Sequence, residues 1–451
     1  MTQQTNELIV AKFGGTSVAT AEQLRKVAAI VEQDDRRRVI VPSAPGKAHA
    51  DDTKVTDLLL LVHDLVANKQ PIDNTWQDIC GRFHGIADAL GVACDLAGHL
   101  ETVRQDILNG ADRDYVASRG EALNGRIVAA LLDAEYIDAA EVIKFSSGRR
   151  LDPLSYDLIQ QRVGPSGRYV IPGFYGSDNQ GHIKAFSRGG SDVTGSVAAA
   201  ALLAIRYENW TDVSGLLMAN PTIVKDPMVI PEITYRELRE LSYMGASVLH
   251  EEAVFPARNH GIPINIRNTN RPEDPGTMIV SDREPGPYLI TGVAGRGGFT
   301  IILLEKAMMN TEVGFGRRVL DVFERLGISY EHTPSGIDTV SIVVSDDNLG
   351  DNLEQVLHDM QAAVQPDHIE VHHGMAMIAT VGMGMNRRVG TAARLFSALA
   401  TCGVNVRMID QGSSEQNIII GVEEPDLAPA IRTIYDAFTP EDAPGVGVSE
   451  M

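Results

Sequence analysis

Glu7 to Ser17 reads ELIVAKFGGTS: an apolar run, a lysine near its end, then paired glycines. A run of this length suits a buried strand, and Gly14-Gly15 stop it. Ala21 to Gln33 follows with Leu24, Val27, Ala28 and Val31 on one helical face. Arg38 to Val41 repeats the strand pattern and is stopped by Pro42-Ser43-Ala44-Pro45-Gly46. Helical periodicity then runs through Val55 to Val66, Thr75 to Leu90, Asp95 to Leu108 and Asp114 to Ala134. Tyr169 to Ile171 and His182 to Phe186 read as strands, and Thr194 to Ile205 as an Ala-rich helix. Strands and helices in alternation predict an α/β sandwich around a mainly parallel sheet.

The pattern changes near Asp282-Arg283-Glu284-Pro285-Gly286-Pro287, where prolines and a glycine among charges suit a domain boundary. Beyond it the chain repeats at an offset of 76 residues, Val319 to Val344 lying over Leu395 to Ile420. Gly327 falls on Gly403, Gly336 on Gly412, and Ile342-Val343-Val344 on Ile418-Ile419-Ile420. The preceding strands read as Phe299 to Leu304 and Met377 to Val381. A duplication of this kind predicts two small α+β modules. The expected domains are residues 1–286, 287–370 and 371–451, the second of them inserted in the third as an alternative.

Lys and Arg number 39 against 60 Asp and Glu, a formal charge of −21. That field disfavours nucleic acid and anionic membrane as partners. Cys80, Cys94 and Cys402 form no CxxC pair and leave an odd count, which disfavours a disulfide framework. No basic stretch followed by an apolar core precedes Glu7, and the longest apolar run, Val197 to Ile205, is far short of the ~20 residues of a membrane span. The expectation is a cytoplasmic protein.

Several short motifs carry chemistry. In Lys12-Phe13-Gly14-Gly15-Thr16-Ser17 the glycines let backbone approach a phosphate, and Lys12 can neutralise charge on a transferred phosphoryl group. A glycine turn with a solvated lysine is the plain alternative. No GxxxxGK[ST] occurs, so this is not a Walker A loop. Ser187-Arg188-Gly189-Gly190-Ser191-Asp192 is a second glycine turn before a helix. Arg188 offers a fork for a carboxylate, while Ser191 and Asp192 suit simple capping. Arg119-Gly120-Glu121 puts a glycine inside a helix at a cost of ~1 kcal/mol. That suggests close approach of a ligand or another backbone, with Glu121 as partner for an ammonium; a surface glutamate at a kink is the other reading. Trp210-Thr211-Asp212-Val213-Ser214-Gly215 is either a nucleotide-facing loop or a plain turn. His250-Glu251-Glu252-Ala253-Val254 starts like HExxH but ends on valine, which removes a zinc protease site, and no metal site is expected.

Taken in order, KFGGTS, Arg119-Gly120-Glu121, SRGGSD, Trp210-Thr211-Asp212-Val213 and Met244 to His250 (MGASVLH) resemble the aspartate kinase family of the amino-acid kinase superfamily. The resemblance spans essentially the whole chain, since the duplicated C-terminal part is similar to that family's tandem ACT domains. It implies an amino-acid kinase α/β/α sandwich followed by two ferredoxin-type ACT-like modules. It also implies transfer of the γ-phosphoryl of ATP, carried with Mg²⁺, to the β-carboxylate of L-aspartate, the first step toward lysine, threonine and methionine. The residues agree with such chemistry: a carboxylate of pKa ~3.9 is already an anionic nucleophile, so no general base is required.

By motif position, the resemblance implies that Lys12 stabilises the transferring phosphoryl group and Asp192 orients Lys12. Gly14 and Gly15 would donate backbone N–H groups, with Ser17, Thr211 and Asp212 also along the nucleotide. Arg188 would bind the α-carboxylate of aspartate and Glu121 its ammonium. Gly189 and Ser191 lie in the same motif, Ser43 and Thr56 would meet the β-carboxylate, and Phe174 would wall the pocket. The ACT-like part implies an amino-acid effector, lysine or threonine or both, with Asn310, Gly314, Phe315, Ser335 and Asp338 as contacts, and assembly into a homodimer or homotetramer. Leu217, Asn220-Pro221-Thr222 and Ser247 depart from the family's usual tyrosine, Asp-Pro-Arg and lysine, so its base and ribose contacts do not carry over. Two other readings stay open: another amino-acid or nucleotide kinase of the same fold, and an amino-acid sensor without catalysis. Arg188 paired with Glu121 favours a zwitterionic substrate, whereas Thr222 and Ser247 keep the sensor reading open.

Overall fold

A computed structural model describes residues 7–439, apart from 188, 247, 248 and 250. The chain divides into two compact units. The first takes the chain up to Leu216, with Val229–Tyr235 and Val248–Arg283; the second takes Leu217–Met228, Arg236–Ser247 and Glu284 onward. The expected boundary at 286 lies beside the break at Arg283, but two pieces of the preceding chain pack with the second unit.

The first unit begins β1 (Ile9–Phe13), α1 (Ala21–Glu32), β2 (Arg37–Pro42), α2 (Val55–Ala67), α3 (Asp73–Leu90), α4 (Leu96–Leu108) and α5 (Arg113–Leu131). It continues β3 (Glu135–Tyr136), α6 (Ala139–Val142), β4 (Lys144–Phe145), α7 (Leu154–Arg162), β5 (Tyr169–Val170), β6 (Tyr175–Asp178) and β7 (Ile183–Ala185). Then come α8 (Gly190–Ala201), β8 (Arg206–Thr211), β9 (Glu232–Thr234), α10 (Glu251–Asn259), β10 (Ile264–Asn268) and β11 (Thr277–Val280), while α9 (Tyr235–Tyr243) falls, but for Tyr235, in the second unit. Eight strands form one sheet in the order β3-β5-β2-β1-β8-β10-β11-β9, and only the β10–β11 pairing is antiparallel. Period-two alternation sorts β1. Ala11 and Phe13 join Ile40, Val170 and Trp210 in a core with α1 to α5. Lys12 points to the other face, where α8 lies against β1, β2 and β8 and packs with α7 and α10. Helices on both faces make the three-layer sandwich expected for parallel strands.

The helix expected over Thr194 to Ile205 starts earlier, at Gly190. Gly189 takes the left-handed conformation (φ 58°) at its N-cap, so Ser191 and Asp192 enter the first turn instead of capping it. Leu203, at φ 49°, turns the chain out before Ile205.

The second unit holds β12 (Gly292–Glu305), α11 (Phe315–Leu326), β13 (Thr339–Ser345), α12 (Asp346–Leu349), α13 (Leu353–Val364), β14 (His368–Val381), α14 (Thr391–Thr401), β15 (Met408–Asp410), β16 (Asn417–Glu423) and α15 (Leu427–Phe438). Its sheet runs β13-β12-β14-β16-β15, all antiparallel. The duplication appears in the backbone: Gly314 precedes α11 at φ 80° as Gly390 precedes α14 at φ 92°, and Gly327 and Gly403 close the two helices at φ 68° and 75°. The strands β12 and β14 are far longer than the sequence predicts, because each passes through both halves. Their pairing shifts register between Arg296 and Phe299, where Gly298 sits at φ 80°. Among the described residues no helix is long and apolar enough to cross a membrane.

Candidate active site

The C-terminal ends of β1, β2, β8 and β10 lie side by side, the edge where open parallel sheets bind ligands. Their outgoing loops are tied together by backbone. Gly14 N donates to the Trp210 carbonyl (2.9 Å), Ser43 N to Phe13 (3.0 Å), Gly46 N to Gly15 (2.9 Å) and Thr269 N to Thr211 (2.8 Å). Ser17 is buried and receives the Thr269 hydroxyl at 2.7 Å. Gly14 therefore spends its N–H inside the protein and is not the phosphate donor expected of it. A Cβ there would only touch Lys12 Nζ and the Trp210 carbonyl, each at 3.5 Å.

Lys12 is buried and pairs with Asp192 on the first turn of α8, Nζ to Oδ1 at 2.5 Å. Asn209 on β8 joins them: its Nδ2 donates to Asp192 Oδ1 at 2.8 Å, and its Oδ1 accepts from Lys12 Nζ at 3.4 Å. The neighbours of Asn209 face the other way. Glu208 accepts from Arg37 (2.7 Å), Arg206 (2.8 Å) and the Trp210 indole (3.0 Å). Burial would raise the Glu208 carboxyl, but these partners outweigh it and hold it below its usual range. That group is satisfied and structural.

Glu121 is different. It sits on α5, buried, and its Oε2 has no hydrogen-bond partner. Burial pushes its carboxyl up to about 8 against the pull of the Ala44 and Glu121 backbone N–H groups and the charge of Arg119. A buried carboxylate with an open oxygen suits a cationic ligand. Gly120 explains the position: a Cβ there would lie 2.8 Å from the Ala44 Cβ and 3.7 Å from Thr56 Oγ1. The helix does not kink; it presses on the loop that carries Ser43. One turn on, Asn124 Nδ2 donates to the Ser43 carbonyl at 2.7 Å. Thr56 is half-buried in the first turn of α2.

Phe174 adopts φ 79°, a strained value for an aromatic residue. Thr194 Oγ1 holds its N–H at 3.2 Å, and Gly173 and Gly190 leave no room for a Cβ, the first meeting Ser191 Oγ at 2.6 Å and the second Phe174 Cα at 2.8 Å. The Phe174 loop and the Gly189–Ser191 turn are thus packed face to face. Thr211 ends β8 half-buried; Asp212 is exposed and accepts from the Thr211 hydroxyl at 3.2 Å. Arg188 and Ser247 lie outside the described residues. Sequence reasoning missed Asn124, Thr194 and Asn209, none of which stands in a recognisable motif. Among the described residues no three His, Cys, Asp or Glu side chains gather to hold a metal ion.

In the second unit a cavity of about 450 Å³ opens at the start of α11, lined by Asn310, Gly314, Phe315, Thr333, Ser335 and Ile342 among others. It brings together four of the five expected effector contacts. Asp338 does not line it; it is exposed, and its carbonyl accepts Lys306 N–H at 2.8 Å.

The profile of the amino acid kinase family matches residues 7–268, and that of the ACT domain matches residues 378–438. Aspartokinase 3 of Bacillus subtilis (strain 168) is 38% identical over 448 residues, which cover 95% of this chain and 98% of that protein. Among solved structures, an aspartate kinase of Clostridium acetobutylicum superposes with a TM-score of 0.89 at 51% identity, over 96% of this chain and all of that one. E. coli aspartokinase III, solved with aspartate and ADP, gives a TM-score of 0.71 at 26% identity over 96% of this chain and 99% of its own; it has also been solved with lysine and aspartate.

Proposed function

The chain belongs to the aspartokinase family, an amino acid kinase domain with ACT-domain sequence behind it, and from that premise we propose that it transfers the γ-phosphoryl of ATP to the β-carboxylate of L-aspartate, giving 4-phospho-L-aspartate and ADP. The product is the first intermediate toward lysine, threonine and methionine. The observation that carries the reading is the buried Lys12–Asp192 pair at the C-terminal edge of the sheet, with the buried, half-satisfied Glu121 in the same unit.

Each group has a task in that reaction. The aspartate β-carboxylate is ionised at neutral pH and attacks without a base. Charge on the transferring phosphoryl group is neutralised by Lys12, which Asp192 holds ready. Glu121 takes the substrate ammonium, and that contact supplies the partner its Oε2 lacks. Arg188, by its motif, takes the α-carboxylate; Ser43 and Thr56 flank the β-carboxylate, and Phe174 with Gly189 and Ser191 walls the pocket. Gly15, Ser17, Thr211 and Asp212 run along the nucleotide, whose Mg²⁺ arrives as part of the substrate.

The C-terminal unit is read as regulatory, two ACT-like modules binding lysine or threonine in the cavity at α11. The first module is the part from Phe299 to His373, inserted between the halves of the second. Assembly as a homodimer or homotetramer through these modules, in the cytoplasm, completes the proposal; Cys80, Cys94 and Cys402 are free thiols, as a reducing setting allows. The test is ATP turnover with L-aspartate, trapping the acyl phosphate as its hydroxamate, with lysine and threonine added singly and together. Aspartate-dependent hydroxamate is expected. Turnover of UMP or acetylglutamate in place of aspartate overturns the reading.

A further inference from the structure

We propose that Asn209 is a positioning residue for phosphoryl transfer: it holds the Asp192 carboxylate while the Lys12 ammonium moves from that carboxylate to the transferring phosphoryl group. The inference rests on the kinase reading above and adds a residue that no motif contains.

Register puts Asn209 where it can act. In the parallel β1–β8 pair it lies directly beside Lys12, and the residue is 4% exposed. A primary amide this deep in a sheet is unfavourable unless both ends are bonded. Here both are. A carboxylate can only accept and an ammonium can only donate, so Nδ2 must face Asp192 and Oδ1 must face Lys12. The three side chains close a triangle of 2.5, 2.8 and 3.4 Å.

The two short sides meet on one atom, Asp192 Oδ1, so Asn209 and Lys12 compete for the same charge. That competition matters when the γ-phosphoryl arrives. Lys12 must give up part of its contact with Asp192 to meet the phosphoryl oxygens. Without a second donor, Asp192 would be left as a largely buried carboxylate with a departing partner, which opposes the move. The Asn209 amide keeps Oδ1 bonded throughout. Tyr207, two residues back on the same face, donates its hydroxyl to the Asp192 carbonyl at 3.2 Å and fixes that turn of α8. No bond is made or broken by Asn209; it lowers the resistance to the handover.

Such a role predicts a loss in kcat that leaves ground-state binding alone. Asn209→Leu, close in volume and unable to bond, should lower kcat by at least about ten-fold, the scale of one hydrogen bond to a charged group. KM for aspartate and for ATP should stay within about two-fold. Asn209→Asp replaces the donor with a second anion beside Asp192, so its kcat should recover as pH falls and the two carboxylates share a proton. Asn209→Ser keeps a hydroxyl donor and should fall between Asn209→Leu and the unaltered protein; it carries the test if Asn209→Leu does not fold. A kcat for Asn209→Leu within about two-fold of the unaltered enzyme overturns the proposal, as does a rise in KM that accounts for the whole effect, or an Asn209→Asp pH profile parallel to the unaltered one. Absence of aspartate turnover in the unaltered protein overturns the kinase reading itself, and Asn209's role with it.

Discussion

Two sites in this molecule open behind a left-handed glycine at the start of a helix, and they are built from opposite materials. Behind Gly189 (φ 58°), α8 presents Asp192 to a buried lysine, and the same unit buries Glu121 with an unused oxygen. Behind Gly314 (φ 80°), α11 borders a cavity whose polar lining is mostly neutral: Asn310, Thr333 and Ser335. Its carboxylate, Glu312, is held by Lys306 at 2.7 Å and by Arg318. The Lys306 hydrogen bond, with the charge of Arg318, keeps that carboxyl below its ordinary range. Oriented charge in a buried site can meet a transferring phosphoryl group with no more than a short shift of one ammonium. A neutral, roomy cavity lets a small molecule enter and leave reversibly. In the proposed reading the same local geometry serves conversion in one unit and reversible binding in the other.

The largest effect expected from this contrast is on Lys12. Lys12→Ala should lower kcat by at least about 100-fold. Effector affinity, measured by calorimetry with lysine or threonine, should not change; a joint loss would break the separation between the sites.

Next is Glu121. Glu121→Gln should raise KM for aspartate by at least about ten-fold through loss of a charged hydrogen bond. The same variant should gain stability at alkaline pH. The Glu121 carboxyl is raised in the fold from 4.5 to about 8, so its contribution is fully present below about 4.5 and is lost as pH rises toward 8. Unfolding curves of the two proteins should therefore coincide best at or below pH ~4.5 and separate in the variant's favour by pH ~8. Aspartate binding near neutral pH should release close to one proton from Glu121, read by calorimetry in buffers of different ionisation enthalpy. No proton release would remove Glu121 from the substrate site.

The smallest effect lies in the second unit. Gly314→Val places a β-branched residue at positive φ, a strain of roughly 1–2 kcal/mol at the cavity mouth. Effector binding should weaken several-fold while kcat without effector is unchanged. A fall in basal kcat would mean that the neutral cavity also supports turnover.

Much of the charged site was legible because its residues cluster in the chain. KFGGTS and SRGGSD each put glycines and ions within six positions, and the crevice at the sheet edge follows from strand–helix alternation. Asn209 was hidden by the strand's own period: its neighbours Glu208 and Trp210 face the opposite side, and its partners lie at positions 12 and 192. Only the β1–β8 register brings them together. The start of α8 was misread because a glycine in the left-handed region, not Ser191 or Asp192, ends the preceding loop. Gly14 was misread because the acceptor of its N–H, Trp210, is remote in the chain and is brought beside it only by the β1–β8 pairing. The repeat of 76 residues was legible in its glycines, but the reach of β12 and β14 was not. The first of them is expected to begin at Phe299, whereas Gly298 absorbs a register shift and lets one strand run from Gly292.

Those two strands also constrain how the protein is made. The start of β12 pairs with the end of β14, Gly292 opposite Val381, and everything between must leave the ribosome first. At roughly 5–20 residues per second that wait is about 4–18 s. The part beyond Phe299 can meanwhile gather around its own core of Ile302, Val319, Val322, Phe323 and Val344. The leading half of β12 takes no part in that core; Val293 N–H reaches the Met218 carbonyl at 2.7 Å, but its strand partner in β14 comes last. Birth order, rather than final stability, therefore separates the two halves of β12 in time: the half beyond Phe299 can pair early, and residues 292–296 complete their ladder only when β14 has been made.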